Sequence, residues 1–316
     1  MLFWKDCLEI SILDALHCRN KKRPPVWLMR QAGRYSPKYQ RLRAKNTLYE
    51  LFHNPSMIEE ITLQPIEELG VDAAIIFSDI LLVLDTFGIT YRYPEGGPVV
   101  DYFKGPLKIK DDSFLFLREA IGNLKKRLSV PLLGFAGAPY TISTYMGGHQ
   151  EFIEPLTEGV IRLLRCQVES GVDAVQLFDS WAGNLDDIRF KKLVLEPLRI
   201  IKKSVDVPLI FFCKNLGERL GAVLETGVDA VSLDCPLLDV RQKYGPSVCL
   251  QGNLDPDLLF TDEDTVTRAV KDLLNSLKGD QGFIFNLAHG IKPGSSFSLV
   301  KHLVRIAQEE GARLWS

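Results

Sequence analysis

The chain reads as α/β, a single-domain (β/α)8 TIM barrel, and three observations predict it. Eight short apolar runs, at 27–30, 73–78, 131–136, 174–179, 208–213, 230–234, 248–252 and 283–287, are nearly continuous and do not alternate. That is the pattern of strands buried on both faces. Amphipathic helical patterns separate the runs, as a parallel sheet requires. Third, one phrase occurs three times: EELGVDAAIIFSD (67–79), VESGVDAVQLFDS (168–180) and LETGVDAVSLDC (224–235). Each reads as a helix ending on a left-handed glycine, a short link, a buried strand and a closing aspartate: Asp79, Asp179 or Asp234. An open doubly wound sheet is the competing arrangement.

Taken in order, residues 1–24 are expected as an N-terminal helical extension packed outside the barrel. Asn54-Pro55 is a cap followed by proline at the first helical position, ahead of Ile58, Ile61, Ile66 and Leu69, with Gly70 as the stop. The piece 89–103, ITYRYPEGGPVVDYF, alternates around PEGG and predicts a small β-hairpin inserted after strand two. Helices are expected near 113–128, 152–170, 186–204 and 296–310. Asn215 precedes Leu216, Leu220, Val223 and Leu224, which end at Gly227. Thr261 with Asp264 predicts a capping box ahead of Val266, Val270, Leu273 and Leu274, stopped by Gly279. No Gly/Ser/Pro-rich linker divides the chain, so 1–316 is taken as one domain.

Composition narrows the function. With 316 residues, 46% hydrophobic and 25% charged, the chain can bury a sizeable core. A net charge of −2 supplies no overall field for nucleic acid or membrane. No apolar run approaches a membrane span. The first ten residues hold Lys5, Asp6 and Glu9 and no signal-peptide core, so a cytoplasmic protein is expected. The six cysteines (7, 18, 166, 213, 235, 249) show no CxxC and read as reduced thiols.

In a barrel of this kind, chemistry gathers at the carboxyl ends of the strands. The first run ends in Arg30, Gln31 and Arg34, with Ala32 and Gly33 between them. Positions 19–46 carry ten Lys/Arg and no Asp or Glu, although the whole chain balances 38 basic against 40 acidic residues. A block this basic expects an anion, and two guanidiniums around a glycine suit a carboxylate or phosphate clamp. The charges at 19–23 and 41–45 read as solvated surface. Later strand ends offer Ser78 and Asp79; Tyr140 and Tyr145; Asp179, Ser180 and Trp181; Lys214 and Asn215; Asp234; Gln251, Asn253 and Asp255; and Asn286, His289 and Gly290.

Asp79 follows the unbroken run AAIIFS, where an ionised carboxylate needs a partner, so a site role is preferred over a turn cap. Asp179 and Asp234 are open between site and structural roles, with Lys214 or nearby backbone as their structural partners. His289 closes the last strand and is read as a site residue. Ser180 has no GxSxG context and suits a ligand hydrogen bond better than a nucleophile. There is no GxGxxG, P-loop, HExxH or CxxC pair, and no His has Cys two residues on. A mouth of arginines, one acid, Tyr, Ser and His suggests a poly-anionic substrate that carries its own reactivity.

At these residues the chain resembles the uroporphyrinogen decarboxylase family. The resemblance is carried by PVWLMRQAGRY (25–35), FSDIL (77–81), GFAGAPYTISTYM (134–146), QLFDSWAG (176–183), LQGNLDP (250–256) and NLAHGIKP (286–293). It implies a single (β/α)8 barrel, usually a homodimer with facing clefts. It also implies removal of carbon dioxide from the four acetate side chains of uroporphyrinogen, a tetrapyrrole, with no metal or organic cofactor. Arg30 and Arg34 would pair with substrate carboxylates, with Gln31, Ala32 and Gly33 beside them. Asp79 would face the pyrrole N–H groups and steady the transition state, and Tyr145, Ser180 and His289 would complete the contacts. An arginine, a water or His289 each remains open as the ring's proton source.

The chain departs from the family pattern at Ser36 and Lys38, where Leu and Glu are usual, and at Ala288 in place of Gly. The loop after Tyr145, GGHQEF, looks short. Two other readings compete: a zinc-dependent corrinoid or thiol methyltransferase of the same superfamily, for which Cys213, Cys235 and Cys249 lie near strand ends, and a non-catalytic tetrapyrrole carrier.

Overall fold

The three GVDA phrases each build the same joint. A helix ends on a left-handed glycine: Gly70 (φ 69°), Gly171 (φ 114°) or Gly227 (φ 84°). Two residues later an aspartate grips the neighbouring strand's start twice. Asp72 donates its N–H to the Val26 carbonyl (2.8 Å), and its carboxylate accepts from Val26 N (2.7 Å). Asp173 does the same with Leu132 (2.8 and 2.7 Å). Asp229 repeats it with Leu209 (3.1 and 2.7 Å). Each carboxylate also holds a cation: Arg23, Lys125 or Lys202.

The structure is a computed structural model and describes residues 11–94, 97–101, 103, 105–110 and 113–316. Its strands in chain order are β1 (Ala74–Ile75), β2 (Tyr91–Arg92), β3 (Val99–Val100), β4 (Leu132–Gly137), β5 (Ala174–Asp179), β6 (Leu209–Cys213), β7 (Ala230–Ser232), β8 (Cys249–Leu254) and β9 (Phe283–Leu287). Seven of them form one parallel sheet in the order β1-β4-β5-β6-β7-β8-β9. Strands β2 and β3 pair antiparallel, Tyr91 opposite Val100. Glu95, Gly96 and Tyr102 of the expected hairpin, and residues 1–10 of the expected extension, lie outside the described residues.

The run at 27–30 does not form a strand. Val26 makes one parallel bridge to Phe285, with Phe285 N donating to the Pro25 carbonyl (3.0 Å) and Trp27 N to the Phe285 carbonyl (3.3 Å). The ladder stops there because side chains take the next two N–H groups. Leu28 N donates to Gln31 Oε1 (3.1 Å) and Met29 N to Asn286 Oδ1 (3.0 Å). The run at 73–78 is likewise cut to two residues; Phe77 N is taken by Thr62 Oγ1 (2.9 Å).

Side chains alternate across the sheet, as strand geometry requires. Val175, Leu177, Phe211 and Leu250 pack in the larger core, which also takes in helix residues such as Leu163 and Val304. Ala73, Leu133, Ala174, Ile210, Ala230, Cys249 and Ile284 pack in an inner cluster with Trp27 and Met29. Above it lies a belt of buried polar groups. Trp27 Nε1 donates to Gln251 Oε1 (3.0 Å), and Gln251 Nε2 donates to Gln176 Oε1 (3.1 Å) and Ser232 Oγ (2.9 Å). Gln176 is on β5 and Gln251 on β8, so this bond spans the inside of a curled sheet.

Three expectations change, and a fourth gains detail. The N-terminal helix Ile12–Leu16 packs Ile12, Ala15 and Leu16 into the inner cluster at the starts of the strands. Burying side chains of this size stabilises by roughly 1.5–3 kcal/mol each. Arg23 is not solvated; it is 7% exposed and forks onto Asp72 at 2.7 and 2.8 Å. The helix Glu263–Ser276 is capped by Asp262, which accepts from Thr265 N (2.8 Å), rather than by Thr261, whose hydroxyl donates to the Leu258 carbonyl (2.7 Å). Asn215 does not start its helix; it is left-handed (φ 53°), and the α-helix begins at Leu220. The caps Asn54 and Gly70 are as expected.

Removing one partner of a buried ion pair leaves a charge stranded, typically at a cost of about 3–5 kcal/mol. Asp72→Ala should lower unfolding stability by that order in a urea titration. Asp14→Ala, whose pair with Arg19 is exposed, should cost little.

Candidate active site

The carboxyl ends of the strands share one face, and the segment carrying Arg30 reaches it alongside β9. Arg30 is left-handed (φ 61°), a conformation that non-glycine residues adopt only when the surroundings hold them there. Two ties do so: Met29 N donates to Asn286 Oδ1, and Ile291 N donates to the Met29 carbonyl (2.9 Å). The loop after β9 therefore rides on the Arg30 loop. Gly290 is where they touch, since a Cβ there would lie 2.5 Å from Arg30 Cδ. Gly33 lets the chain fold back over the Arg30 carbonyl, 3.1 Å from where its Cβ would stand. Arg30 and Arg34 are exposed, with Ala32 and Gly33 half-buried between them.

Gln31 is turned away from this face. It is 1% exposed, its Oε1 accepts from Leu28 N, and its Nε2 donates to the Ala73 carbonyl (3.1 Å). Its side chain shapes the loop instead of being presented to a ligand.

Asp79 caps the 3-10 turn Ile80–Phe87, its Oδ1 accepting from Leu81 N at 2.8 Å. The cap uses one carboxylate oxygen. Burial pushes its pKa up; Leu81 N–H, Tyr93 and the Arg30 guanidinium pull the other way. The net rise marks a carboxylate that a cation or further N–H donors would stabilise.

His289 is drawn down to about 4, by burial first and then by Arg30 and Lys214. At neutral pH it is an uncharged imidazole with one donor and one acceptor. Its ring meets Phe212 edge-on (5.8 Å), which continues to Phe178 (5.7 Å) and Phe135 (5.6 Å). These rings from β6, β5 and β4 form an apolar floor. Phe212 and His289 come from positions three strands apart in the sheet, so their contact also records its curl.

Tyr145 ends the helix Pro139–Tyr145, and its ring stands edge-on to Trp181 at 6.4 Å. Ser180, between Asp179 and Trp181, is half-buried. Asp179 is 1% exposed and accepts from Thr141 Oγ1 at 2.6 Å, and Thr141 in turn accepts from Trp181 N at 3.3 Å. Burial pushes it up to about 7, against the Thr141 bonds. Asp234 accepts from Asn215 N (3.0 Å) and so holds the turn carrying Lys214. Both strand-end aspartates position loops, and neither pairs with Lys214 among the described residues.

The expected residues thus gather in two groups. Arg30 acts on Asp79 and His289, and Arg34 and Asp79 both act on the Tyr39 phenol. Tyr145 and Ser180 meet around Trp181 on the next strand ends, joined to the first group by strand adjacency. The phenylalanine floor and Tyr93 beside Asp79 were not singled out from the sequence, and Lys214, named there as a strand-end residue, was not expected beside His289. The i, i+2 spacing of Tyr91 and Tyr93, the spacing of residues on one face of an extended chain, is the signal that could have found the last of these.

Cys213 and Cys249 are buried and Cys235 is half-buried. Among the described residues no group of three or more His, Cys, Asp or Glu side chains is placed to hold a metal ion, and no helix is long and apolar enough to cross a membrane.

The family model described as "Uroporphyrinogen decarboxylase (URO-D)" matches residues 9–310. Relatives named uroporphyrinogen decarboxylase include one from Protochlamydia amoebophila, 37% identical over 94% of this chain and 91% of its own. One from Myxococcus xanthus is 38% identical over 92% of this chain and 93% of its own. One from Thermus thermophilus is 37% identical over 97% and 100%. Among solved structures, a methyltransferase from Methanosarcina mazei superposes with a TM-score of 0.81 at 18% identity, covering 96% of this chain and 98% of its own. At that identity the likeness speaks for the fold alone.

Asp179 yields a pH prediction. Its folded pKa lies above the unfolded one, so the folded protein keeps a proton that the unfolded chain loses. Stability should therefore fall as pH rises from about 4 to about 7 and level off above. Asp179→Asn retains an acceptor for Thr141 and removes the charge. Denaturant titrations at pH 5 and pH 8 should show the variant gaining stability relative to the parent at the higher pH.

Proposed function

The chain belongs to the uroporphyrinogen decarboxylase family, and on that premise we propose that this mouth removes the acetate carboxylates of uroporphyrinogen, giving coproporphyrinogen. The observation that carries the site assignment is the placement of Arg30, which acts on the half-buried Asp79 on one side and on neutral His289 on the other. A carboxylate-binding cation thus adjoins an acid that lacks full compensation.

Each round breaks the bond between a side-chain methylene and its carboxylate. Carbon dioxide leaves, and the electron pair stays on the methylene. Protonation of a pyrrole carbon first makes the ring a cation that accepts this pair. The methylene then takes a proton to become methyl and the ring carbon gives one back, so one proton is consumed per carbon dioxide. Asp79 is fixed in place before the cation forms, which is electrostatic preorganisation. Pyrrole N–H groups and the transient cation supply the compensation that burial denies it. Arg30 and Arg34 hold the remaining carboxylates and fix orientation. Gln31, Ala32 and Gly33 shape the loop that aims them, and Tyr145, Ser180 and His289 close around the ligand. The depressed pKa of His289 weighs against an imidazolium as the ring's acid. On this reading the reaction needs no metal or organic cofactor.

The fold is read as a closed (β/α)8 barrel. Val26 stands to Asp72 as Leu132 stands to Asp173 and Leu209 to Asp229, which supports counting 25–29 as the eighth stave. The β2–β3 pair supports a small hairpin inserted after the second stave. The same reading takes the protein as a cytoplasmic homodimer with no nucleic-acid or membrane partner.

Under anaerobic, chelator-treated conditions the protein should convert uroporphyrinogen to coproporphyrinogen, read as product carboxyl number by chromatography. Asp79→Asn should nearly abolish turnover; near-normal turnover would sink the assignment of the central carboxylate. A non-catalytic carrier instead predicts binding with no turnover by either protein. Zinc that co-purifies stoichiometrically, and whose removal abolishes activity, would restore the methyltransferase reading. Gly290→Ala should push Arg30 aside and raise KM several-fold while leaving stability little changed, checked by steady-state kinetics and thermal melting.

A further inference from the structure

Lys214 stands at the mouth, and the mechanism above gives it no task. It follows directly on β6, whose Ile210 and Phe212 belong to the inner cluster. The residues between them, Leu209, Phe211 and Cys213, pack in the larger core on the other face. Side chains alternate along a strand, so position 214 continues the inner row above Phe212. The sheet register agrees: Asp179 of β5 lies opposite Cys213, so Ser180 and Lys214 are next in their two rows. Phe212 carries the His289 ring edge-on at 5.8 Å. Lys214 is also close enough to that imidazole to disfavour its charge, together with Arg30.

The backbone at this place is held firmly. Asn215 is left-handed (φ 53°), and among the described non-glycine residues only Cys18 and Arg30 share that state. Two of the three therefore lie at the mouth, each at or beside a cation. Such backbone persists where its surroundings impose it. Here Asp234 accepts from Asn215 N (3.0 Å), and the Cys213 thiol donates to the Lys214 carbonyl (3.4 Å). Gly183 presses on the same carbonyl so closely that a Cβ there would overlap its oxygen. Arg219 pins Gly183 in turn, with Nη1 donating to the Gly183 carbonyl (3.2 Å) and Nε to Asp187 (2.8 Å). The Lys214 side chain, by contrast, is exposed, and among the described residues no carboxylate pairs with its ammonium. The aspartates that close the adjacent strands are already engaged, Asp179 by Thr141 Oγ1 and Asp234 by Asn215 N.

We propose that Lys214 is a substrate anchor, gripping one of the carboxylates that the reaction leaves in place. The proposal rests on the decarboxylase reading and names a further contact of the same site. A cation beside a departing carboxylate stabilises the ground state and opposes loss of carbon dioxide, so an ammonium here suits a carboxylate that stays. Arg30 comes in alongside β9, and Lys214 ends β6, three strands away. A guest with several carboxylates is then held from two parts of the rim over the phenylalanine floor. The two kinds of cation also divide the work. A guanidinium fork fixes direction, whereas an ammonium on a flexible stem is a point charge with rotatable donors. Lys214 follows the ring as it turns between rounds, and the arginines set its orientation within each.

The test uses the full-length protein and its uroporphyrinogen turnover. Lys214→Gln should raise KM about tenfold, the low end for one charge-assisted bond, with kcat within about twofold of the parent. Lys214→Arg keeps the charge and should stay within about threefold of the parent KM. Partly decarboxylated intermediates should escape from Lys214→Gln in a larger share, read as product carboxyl number. Its melting temperature should match the parent's, which separates a lost grip from a damaged fold. In the ligand-free protein, the His289 imidazole should titrate at higher pH in Lys214→Gln than in the parent, followed by NMR. The proposal is overturned if Lys214→Gln keeps a KM within twofold of the parent, which makes Lys214 a solvated charge. It also fails if kcat falls with KM intact, if Lys214→Arg is no better than Lys214→Gln, or if the His289 titration does not move. A parent protein that forms no coproporphyrinogen defeats the decarboxylase reading itself, whereas an active parent with an undiminished Lys214→Gln defeats the anchor alone.

Discussion

Val26 is held from both sides, and the geometry of the mouth hangs from it. On one flank Asp72 grips its N–H and its carbonyl; on the other, the bridge to Phe285 joins it to β9. Arg23 neutralises Asp72 out of solvent, so the joint is made of fully paired charge. Four residues later the chain reaches Arg30. The guanidinium's position is therefore inherited from an ion pair at the opposite end of the strands, with Gln31, Asn286 and Ile291 as the intermediate ties.

The mouth itself is built around incomplete compensation. Partial burial disfavours the charge on Asp79, while His289 is held neutral by burial first and then by Arg30 and Lys214. Neither state suits a resting protein especially well. Both suit a guest that brings carboxylates for the arginines and N–H groups for the acid. The polar belt under the phenylalanine floor does the opposite work. Gln176, Ser232 and Gln251 have partners, are fully buried, and set which faces of β5, β7 and β8 turn inward.

The parallel strands were legible because continuous apolar runs and left-handed glycines are local signals, and six runs became strands close to their expected lengths. What was not legible depended on contacts distant in sequence. The 27–30 run looked like its neighbours, but Gln31 and Asn286 take its N–H groups. Arg23 looked like surface charge because its partner is 49 residues away. The GVDA phrase was visible, yet its working residue is the internal aspartate, not the closing one. Asp179 and Asp234 close strands as Asp79 does, but Thr141 and Asn215 claim them for loop geometry. Arg30, Asp79 and His289 could be proposed because strand ends can be counted; the turned-away side chain of Gln31 needed coordinates.

The helix Ile12–Leu16 stoppers the amino-terminal end of the curled sheet with Ile12, Ala15 and Leu16. That end of the curl is thus filled by apolar side chains. On the proposed reading, substrate and product would use the opposite end, and a guest with several arms would pivot in place or leave and re-enter between rounds.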